Sequence, residues 1–144
     1  MLSREQTRGR AGCRYVARHV LIGGNRLKDV GTYHGSHDLE SKSGTYQVEV
    51  KTTSSVRVSL TPSQKRRVKD PNSAGYYFIA VARRIARYKY KLYVFDTSAV
   101  LAHRNGGCFR WKTAKHEALL RCKIDGNTVR SLVLRGRLVT CRRS

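Results

Sequence analysis

Acidic residues are scarce in this chain, which has nine Asp and Glu against thirty Lys and Arg in 144 residues. The formal net charge of +21 is far larger than solubility requires. Because 40% of the residues are apolar, disorder does not explain that charge. The imbalance predicts a polyanionic partner, and nucleic acid is the natural one.

Long apolar runs are also missing, and no stretch reaches the length needed to cross a bilayer. The first ten residues are polar and basic, unlike a signal peptide. No basic amphipathic helix of the membrane-surface type stands out. We therefore expect no membrane partner and an intracellular location.

Closely spaced cysteines are the third absence, since the four cysteines include no C-x-x-C pair. This argues against a zinc ribbon or a thioredoxin-type site. Cysteines that act as small buried hydrophobes in a reducing compartment are favoured. The alternative is an irregular zinc site in the last third of the chain, built from His103, Cys108, His116, Cys122 and Cys141.

Three of the nine acidic residues lie together between positions 37 and 51. From Tyr46 to Lys51 apolar and polar residues alternate, as they do in a half-buried strand. The apolar positions would face a core. The other face of this strand carries Gln47, Glu49 and Lys51.

A second strand is predicted just before the first, joined to it by a turn at residues 42–44. This earlier strand carries Asp38 and Glu40. The end of the hairpin would bring together Asp38, Glu49 and Lys51. Two carboxylates and one ammonium group can hold a divalent cation against a phosphate.

These residues resemble the motif of the PD-(D/E)XK nuclease superfamily, an acid followed by acid-x-Lys on the next strand. Asp38 corresponds to the first acid, and Glu49-Val50-Lys51 to the second acid and the lysine. The resemblance covers roughly residues 10–95. It is greatest to Holliday-junction resolvases and to small homing or restriction nucleases.

The resemblance implies an α/β fold with a restriction-endonuclease-like core, a mixed central β-sheet flanked by helices. The length is that of a single domain, residues 1–144. We expect the nuclease core at residues 10–104. Residues 105–144 would form a C-terminal extension for oligomerisation or DNA contact.

The resemblance also implies an Mg²⁺-dependent endodeoxyribonuclease, with Mn²⁺ able to substitute. Asp38, Glu49 and the Val50 carbonyl would bind the metal, and Lys51 would orient the attacking water or stabilise the transition state. Many members carry a further acid on the first helix, where this chain has Cys13, so the number of metals stays open. The accessory candidates are Glu40, Gln47, Gln64 and Glu5.

Two predicted helices carry basic residues that would contact DNA. The first spans about residues 4–22, with an apolar stripe on one face and, on another, the row Arg10, Arg14 and Arg18. The second begins at the capping box Thr61-Pro62-Ser63-Gln64 and carries Lys65 and Arg66. A solvated surface is the alternative for the arginine row, and capping alone is the alternative for Gln64.

The remaining elements are predicted from alternation and turn residues. Strands are expected at residues 56–60, 76–82, 88–95 and 109–112, with a short helix at 99–103. Residues 113–122 are open between helix and strand, residues 125–127 form a hairpin turn, and 129–139 form an edge strand.

The rival interpretation is a non-catalytic basic nucleic-acid-binding protein. In that case Asp38, Glu49 and Lys51 would form a surface ladder of weak salt bridges. Within the nuclease interpretation, a branched junction and a specific duplex site are both open as substrates. Either favours a homodimer or homotetramer, because two strands must be cut at matched positions.

Overall fold

The computed structural model describes residues 4–31, 37–87, 89–110, 130–134 and 137–141. In these ranges a mixed eight-stranded sheet is flanked by helices, and a three-stranded sheet lies beside it. For residues 4–8, 89, 105, 130–134 and 137–141 the description concerns the backbone only. The arrangement is mixed α/β.

The first helix, α1 (Arg4–His19), is followed by the short strands β1 (Val20–Ile22) and β2 (Asn25–Asp29). Val16 is fully buried beneath α1, as the apolar stripe predicts. The prediction that the helix continues to residue 22 is wrong. Residues 20–22 pair with the neighbouring strand β2 on one side and with the distant residues 139–141 on the other, and these hydrogen bonds override the helical periodicity.

The predicted hairpin is confirmed as β3 (Leu39–Ser41) and β4 (Gln47–Thr53), which pair antiparallel. Its turn needs Gly44, whose φ of 75° lies in the left-handed region. The Gly44 N–H donates to the carbonyl of Ser41 at 2.8 Å. The alternation along β4 buries Val48 and Val50.

Strand β5 (Arg57–Ser59) precedes helix α2 (Pro62–Lys69) and a 3-10 turn (Pro71–Ser73). The predicted strand is present, but it belongs to the small sheet and not to the main one. The predicted capping box is confirmed. Thr61 Oγ1 accepts from the Gln64 N–H at 3.3 Å, and Gln64 Oε1 accepts from the Thr61 N–H at 2.9 Å.

Strand β6 (Tyr77–Ala86) runs parallel to β4, and β7 (Lys89–Asp96) pairs antiparallel with β6. The interval left between the strands predicted at residues 76–82 and 88–95 is mostly strand, because β6 continues to Ala86. Helix α3 (Thr97–Ala102) begins where Asp96 accepts from the Ala99 N–H at 2.9 Å. The strands β8 (Arg104–Asn105) and β9 (Cys108–Arg110) complete the small sheet.

The last described elements are β10 (Arg130–Leu134) and β11 (Arg137–Cys141), which pair antiparallel. The expected single strand at residues 129–139 is therefore two strands. The order of the main sheet is β10-β11-β1-β2-β3-β4-β6-β7. The predictions for residues 113–122 and 125–127 lie outside the described residues.

Apolar side chains cover both faces of the main sheet. The cluster under α1 includes Val16, Leu39, Val48, Val50 and Leu92. The opposite cluster, under α2 and α3, includes Val68, Tyr77, Ile79, Val81 and Phe95. On β4, successive residues point to opposite faces. Glu49 and Lys51 therefore lie on the face that carries α2.

Candidate active site

Asp38 is fixed against the middle of β4 by two backbone contacts. Its N–H donates to the carbonyl of Val48 at 2.9 Å, and its Oδ2 accepts from the Val50 N–H at 2.9 Å. The register pairs Leu39 with Val48, so Asp38 stands opposite Glu49. The structure thus brings together the two acids that the sequence motif selects.

The two carboxyl groups share a proton. Burial, followed by the negative charge of Asp38, raises the pKa of Glu49 from 4.5 to about 8. Burial also raises the pKa of Asp38, opposed by hydrogen bonds from the Val50 N–H and from Glu49. The hydrogen bond between the two groups lowers the pKa of Asp38 and raises that of Glu49, so Glu49 is its donor and Asp38 its acceptor.

Lys51 lies on the same face of β4, with its Nζ 3.8 Å from Glu49 Oε1. Burial lowers the pKa of Lys51, while the negative charges of Glu49 and Asp38 oppose that change. The ammonium group is thus partly removed from water and directed at the carboxyl pair. An amine in this place offers a fixed positive charge to a bound anion.

Gln64 joins the first turn of α2 to the carboxyl pair. Its Oε1 is occupied by the Thr61 N–H. Its side chain also hydrogen-bonds Glu49 and lowers the pKa of that group, so the amide Nε2 is the donor. Gln64 therefore caps helix α2 and also contacts the carboxyl pair. The N-terminus of α2 thus lies beside Glu49 of β4.

Two neighbours of the pair have no motif in the sequence. Tyr77 is fully buried and belongs to an apolar run typical of a central strand. Burial, followed by the negative charge of Glu49, raises the pKa of the Tyr77 hydroxyl. Arg67 lies over the Tyr77 ring, 4.4 Å from its centroid, and its Nη2 donates to Gln47 Oε1. Gln47, an accessory candidate, thus contacts an arginine.

Other accessory candidates are placed differently. Glu40 lies 3.2 Å from His37, measured from Oε2 to Nε2, and stands opposite Gln47. Glu5 belongs to the first turns of α1, but its side chain lies outside the described residues. The accessory role of both stays a prediction.

Cys13 of α1 lies near the site. Burial, then the negative charges of Asp38, Asp29 and Glu49, raises the pKa of its thiol to about 12. Asp29, at the end of β2, is a further acid near Asp38 that the motif did not select. The pairing of Asp29 with Leu39, the residue after Asp38, explains its proximity.

The basic residues expected to contact DNA fall into two separated sets. Arg10, Arg14 and Arg18 are all exposed along α1. On α2, Arg66 is exposed, and Lys65 is half-buried with its Nζ close to Gly107. Because α1 and α2 cover opposite faces of the sheet, only the α2 set shares the face of the carboxyl pair.

Some of the candidate zinc ligands lie among the described residues, and others lie outside them. Among the described residues, no group of three or more His, Cys, Asp and Glu is arranged to hold a metal ion. Cys13 and Cys108 are half-buried free thiols. His116 and Cys122 lie outside the described residues, as does the side chain of Cys141.

No protein-family model, curated protein or solved structure matches this chain. In the described part of the chain, no helix combines the length and apolar character that spanning a membrane requires.

Proposed function

We propose that this chain is a metal-dependent DNA endonuclease with a restriction-endonuclease-like core. The observation that carries the proposal is the pair Asp38 and Glu49, which lie opposite each other beside Lys51, with Glu49 buried and Asp38 half-buried. Folding gains nothing from two facing carboxyl groups, because burial and mutual repulsion oppose their ionisation. Such groups with strongly perturbed pKa values are typical of functional sites.

The donor set fits a hard divalent cation, Mg²⁺ with Mn²⁺ as a substitute. Carboxylate oxygens of Asp38 and Glu49 are ligands that Mg²⁺ prefers. In an extended strand the N–H and C=O of one residue point to the same side. The Val50 carbonyl therefore faces the side of Asp38, which accepts from the Val50 N–H. A cation here would replace the shared proton and neutralise both acids.

When bound, magnesium activates a water molecule and offsets charge on the attacked phosphate. The side chains divide the remaining tasks. Lys51 orients that water or stabilises the negative charge that develops on the phosphate. Gln64 holds the Glu49 carboxylate in place from the first turn of α2. The resemblance to the PD-(D/E)XK nucleases implies products with 5′-phosphate and 3′-hydroxyl ends.

The charge of the whole chain supports a nucleic-acid substrate. A net charge of +21 attracts the phosphate backbone, and binding should weaken steeply as salt rises. A branched junction and a specific duplex site both remain candidates, and cutting two strands favours a homodimer or homotetramer. A cleavage comparison between a four-way junction and a random-sequence duplex library separates these substrates.

The direct test is incubation of purified protein with supercoiled plasmid and Mg²⁺, with and without EDTA. We expect nicked and linear products only with free Mg²⁺, and none from Glu49→Ala or Lys51→Ala. Lys42→Ala, at an exposed turn position, is the matched lysine control and should cut normally. Asp38→Asn should bind DNA with wild-type affinity and fail to cut.

Three outcomes would overturn the proposal. Cutting that persists in Glu49→Ala and Lys51→Ala would come from another protein in the preparation. A parallel loss of affinity and cutting in Asp38→Asn would make that acid structural. DNA binding without cutting under any divalent cation would favour the non-catalytic nucleic-acid-binding interpretation.

A further inference from the structure

The small sheet has one face in the core and one face in solvent. Its strands β5 and β9 pair antiparallel, with Val58 opposite Phe109. Both of these side chains are buried in the apolar cluster under α2 and α3. Successive residues of a strand point to opposite faces, so the residues that flank this pair form the outer face. They are Arg57, Ser59, Cys108 and Arg110.

Two arginines, Arg57 and Arg110, lie directly opposite each other on this outer face. Both side chains are exposed, and neither forms an ion pair with any residue that the structure describes. Like charges in directly opposed positions destabilise a sheet. The fold therefore gains nothing from this pair, and an anion bound between the two guanidinium groups would relieve their repulsion.

Acidic residues are absent from the segments that form β5, α2, β8 and β9. Residues 50–69 contain six Lys and Arg, residues 97–110 contain two, and neither segment contains an Asp or Glu. An unbalanced positive charge on an exposed surface attracts the phosphate backbone of nucleic acids. A planar guanidinium group can also bind two phosphate oxygens at once. The ligand that this surface fits is therefore a phosphate of a polyanion.

The small sheet is joined to the carboxyl pair through the start of α2. The Leu60 N–H donates to the Gly107 carbonyl at 2.9 Å, which fixes the beginning of β9 beside that start. Lys65 also places its Nζ close to Gly107. The residue before Lys65 is Gln64, which hydrogen-bonds Glu49. The small sheet and the carboxyl pair thus lie on the same face of the main sheet, both next to the first turn of α2.

From these observations we infer that the outer face of the small sheet is a DNA-binding surface beside the candidate active site, where Arg57 and Arg110 bind a backbone phosphate that flanks the cut. The inference rests on the proposed function only for the choice of DNA as the partner. A phosphate contact carries no sequence information, so the surface positions the duplex and does not select its sequence.

The test measures the affinity of the full chain for a fluorescent DNA duplex of random sequence in EDTA, so that no cutting occurs. The small-sheet variant combines Arg57→Gln with Arg110→Gln. The matched control combines Arg26→Gln with Lys42→Gln, which removes the same charge from exposed positions on β2 and in the hairpin turn. We expect about tenfold weaker binding for the small-sheet variant, with a salt dependence shallower by about two. The control should stay within about twofold.

Cys108 gives a second measurement on the same outer face. Its free thiol is half-buried, with its Sγ 3.3 Å from Ser59 Oγ. Saturating duplex in EDTA should slow the alkylation of Cys108 several-fold, as measured by peptide mass spectrometry. In the small-sheet variant, at a duplex concentration that saturates it as well, this protection should disappear. The melting temperature of the variant should equal or exceed that of the wild type, because the repulsion between the arginines is removed.

Each contrary result overturns the inference. Equal weakening in the control would mean that overall charge drives binding. Alkylation of Cys108 at the same rate with and without saturating duplex would place the DNA elsewhere on the protein. A marked fall in the melting temperature of the small-sheet variant would make the two arginines structural. None of these results concerns cutting, so the nuclease proposal fails or stands by the plasmid assay alone.

Discussion

Replacing Glu49 with Gln should separate stability from activity. Glu49→Gln removes one of two facing carboxyl groups but keeps the shape, a donor to Asp38 and an acceptor for Gln64. We expect the variant to be inactive in cleavage and more stable than the wild type at alkaline pH. Such an opposition between function and stability is typical of active sites.

The direction in which pH changes the stability difference between the two proteins follows from the pKa of Glu49, which folding raises from 4.5 to about 8. Between these values the native state binds more protons than the unfolded state, so wild-type stability falls as pH rises. A Gln at this position does not titrate. The advantage of the variant should therefore be absent below about pH 4.5, grow with pH and level off above about pH 8.

The gain in unfolding free energy of Glu49→Gln over the wild type has an upper bound of about 5 kcal/mol, because each unit of the pKa shift of Glu49 contributes about 1.4 kcal/mol. Solvent reaches the half-buried Asp38 and Lys51, so we expect about 1–3 kcal/mol. For a domain of this size that is about 3–10 °C in melting temperature. The assay is thermal unfolding of both proteins from pH 5 to pH 9 in EDTA.

Glu40→Gln is the matched control, because the Glu40 carboxyl group pairs with His37. It should show no gain at high pH. Excess Mg²⁺ at pH 8.5 should stabilise the wild type, by about 2.7 kcal/mol at one hundred times the dissociation constant, but not Glu49→Gln. Parallel profiles for wild type and Glu49→Gln across this pH range would refute the argument that the carboxyl groups are coupled.

Two further predictions concern the supports of the site. Gly12→Ala should destabilise the protein by about 1–3 kcal/mol in urea unfolding despite better helix propensity, since its Cβ would overlap Thr52 Oγ1; adding Thr52→Ala should restore most of the loss. A Gly12→Ala protein as stable as wild type would contradict this close approach. Thr61→Ala and Gln64→Ala should each cost about 1 kcal/mol through the lost cap, but only Gln64→Ala should move the pH dependence set by Glu49 to higher pH. An equal effect of both variants on that pH dependence would mean that Gln64 does not act on Glu49.

Local patterns in the sequence were sufficient for the centre of the site. The alternation around Glu49 predicts a strand, and the glycine turn at residues 42–44 predicts its pairing with an earlier strand, which the structure begins just after Asp38. The Thr61 capping box predicts where α2 begins. Each of these features depends on residues a few positions apart, which a sequence pattern records directly.

The surroundings of the site depended on long-range pairing. The parallel register of β6 with β4 places Tyr77 beside Gln47 and Arg83 beyond Lys51. Neither placement has a local motif, because the paired residues are about thirty positions apart. The apolar run of β6 predicts that this strand is buried. It does not predict which polar groups lie near the hydroxyl of Tyr77.

The sequence by itself therefore determined that the chain is strongly basic, that a hairpin carries an acid and acid-x-Lys, and that a capped helix follows. The tertiary structure alone decided that α1 ends at His19, that β11 joins β1, and that β6 runs parallel to β4. The physical reason is that composition, and the spacing of apolar residues along a segment, can be seen in the sequence without knowing which distant segments meet. Register between distant strands is set by the packing of the whole sheet.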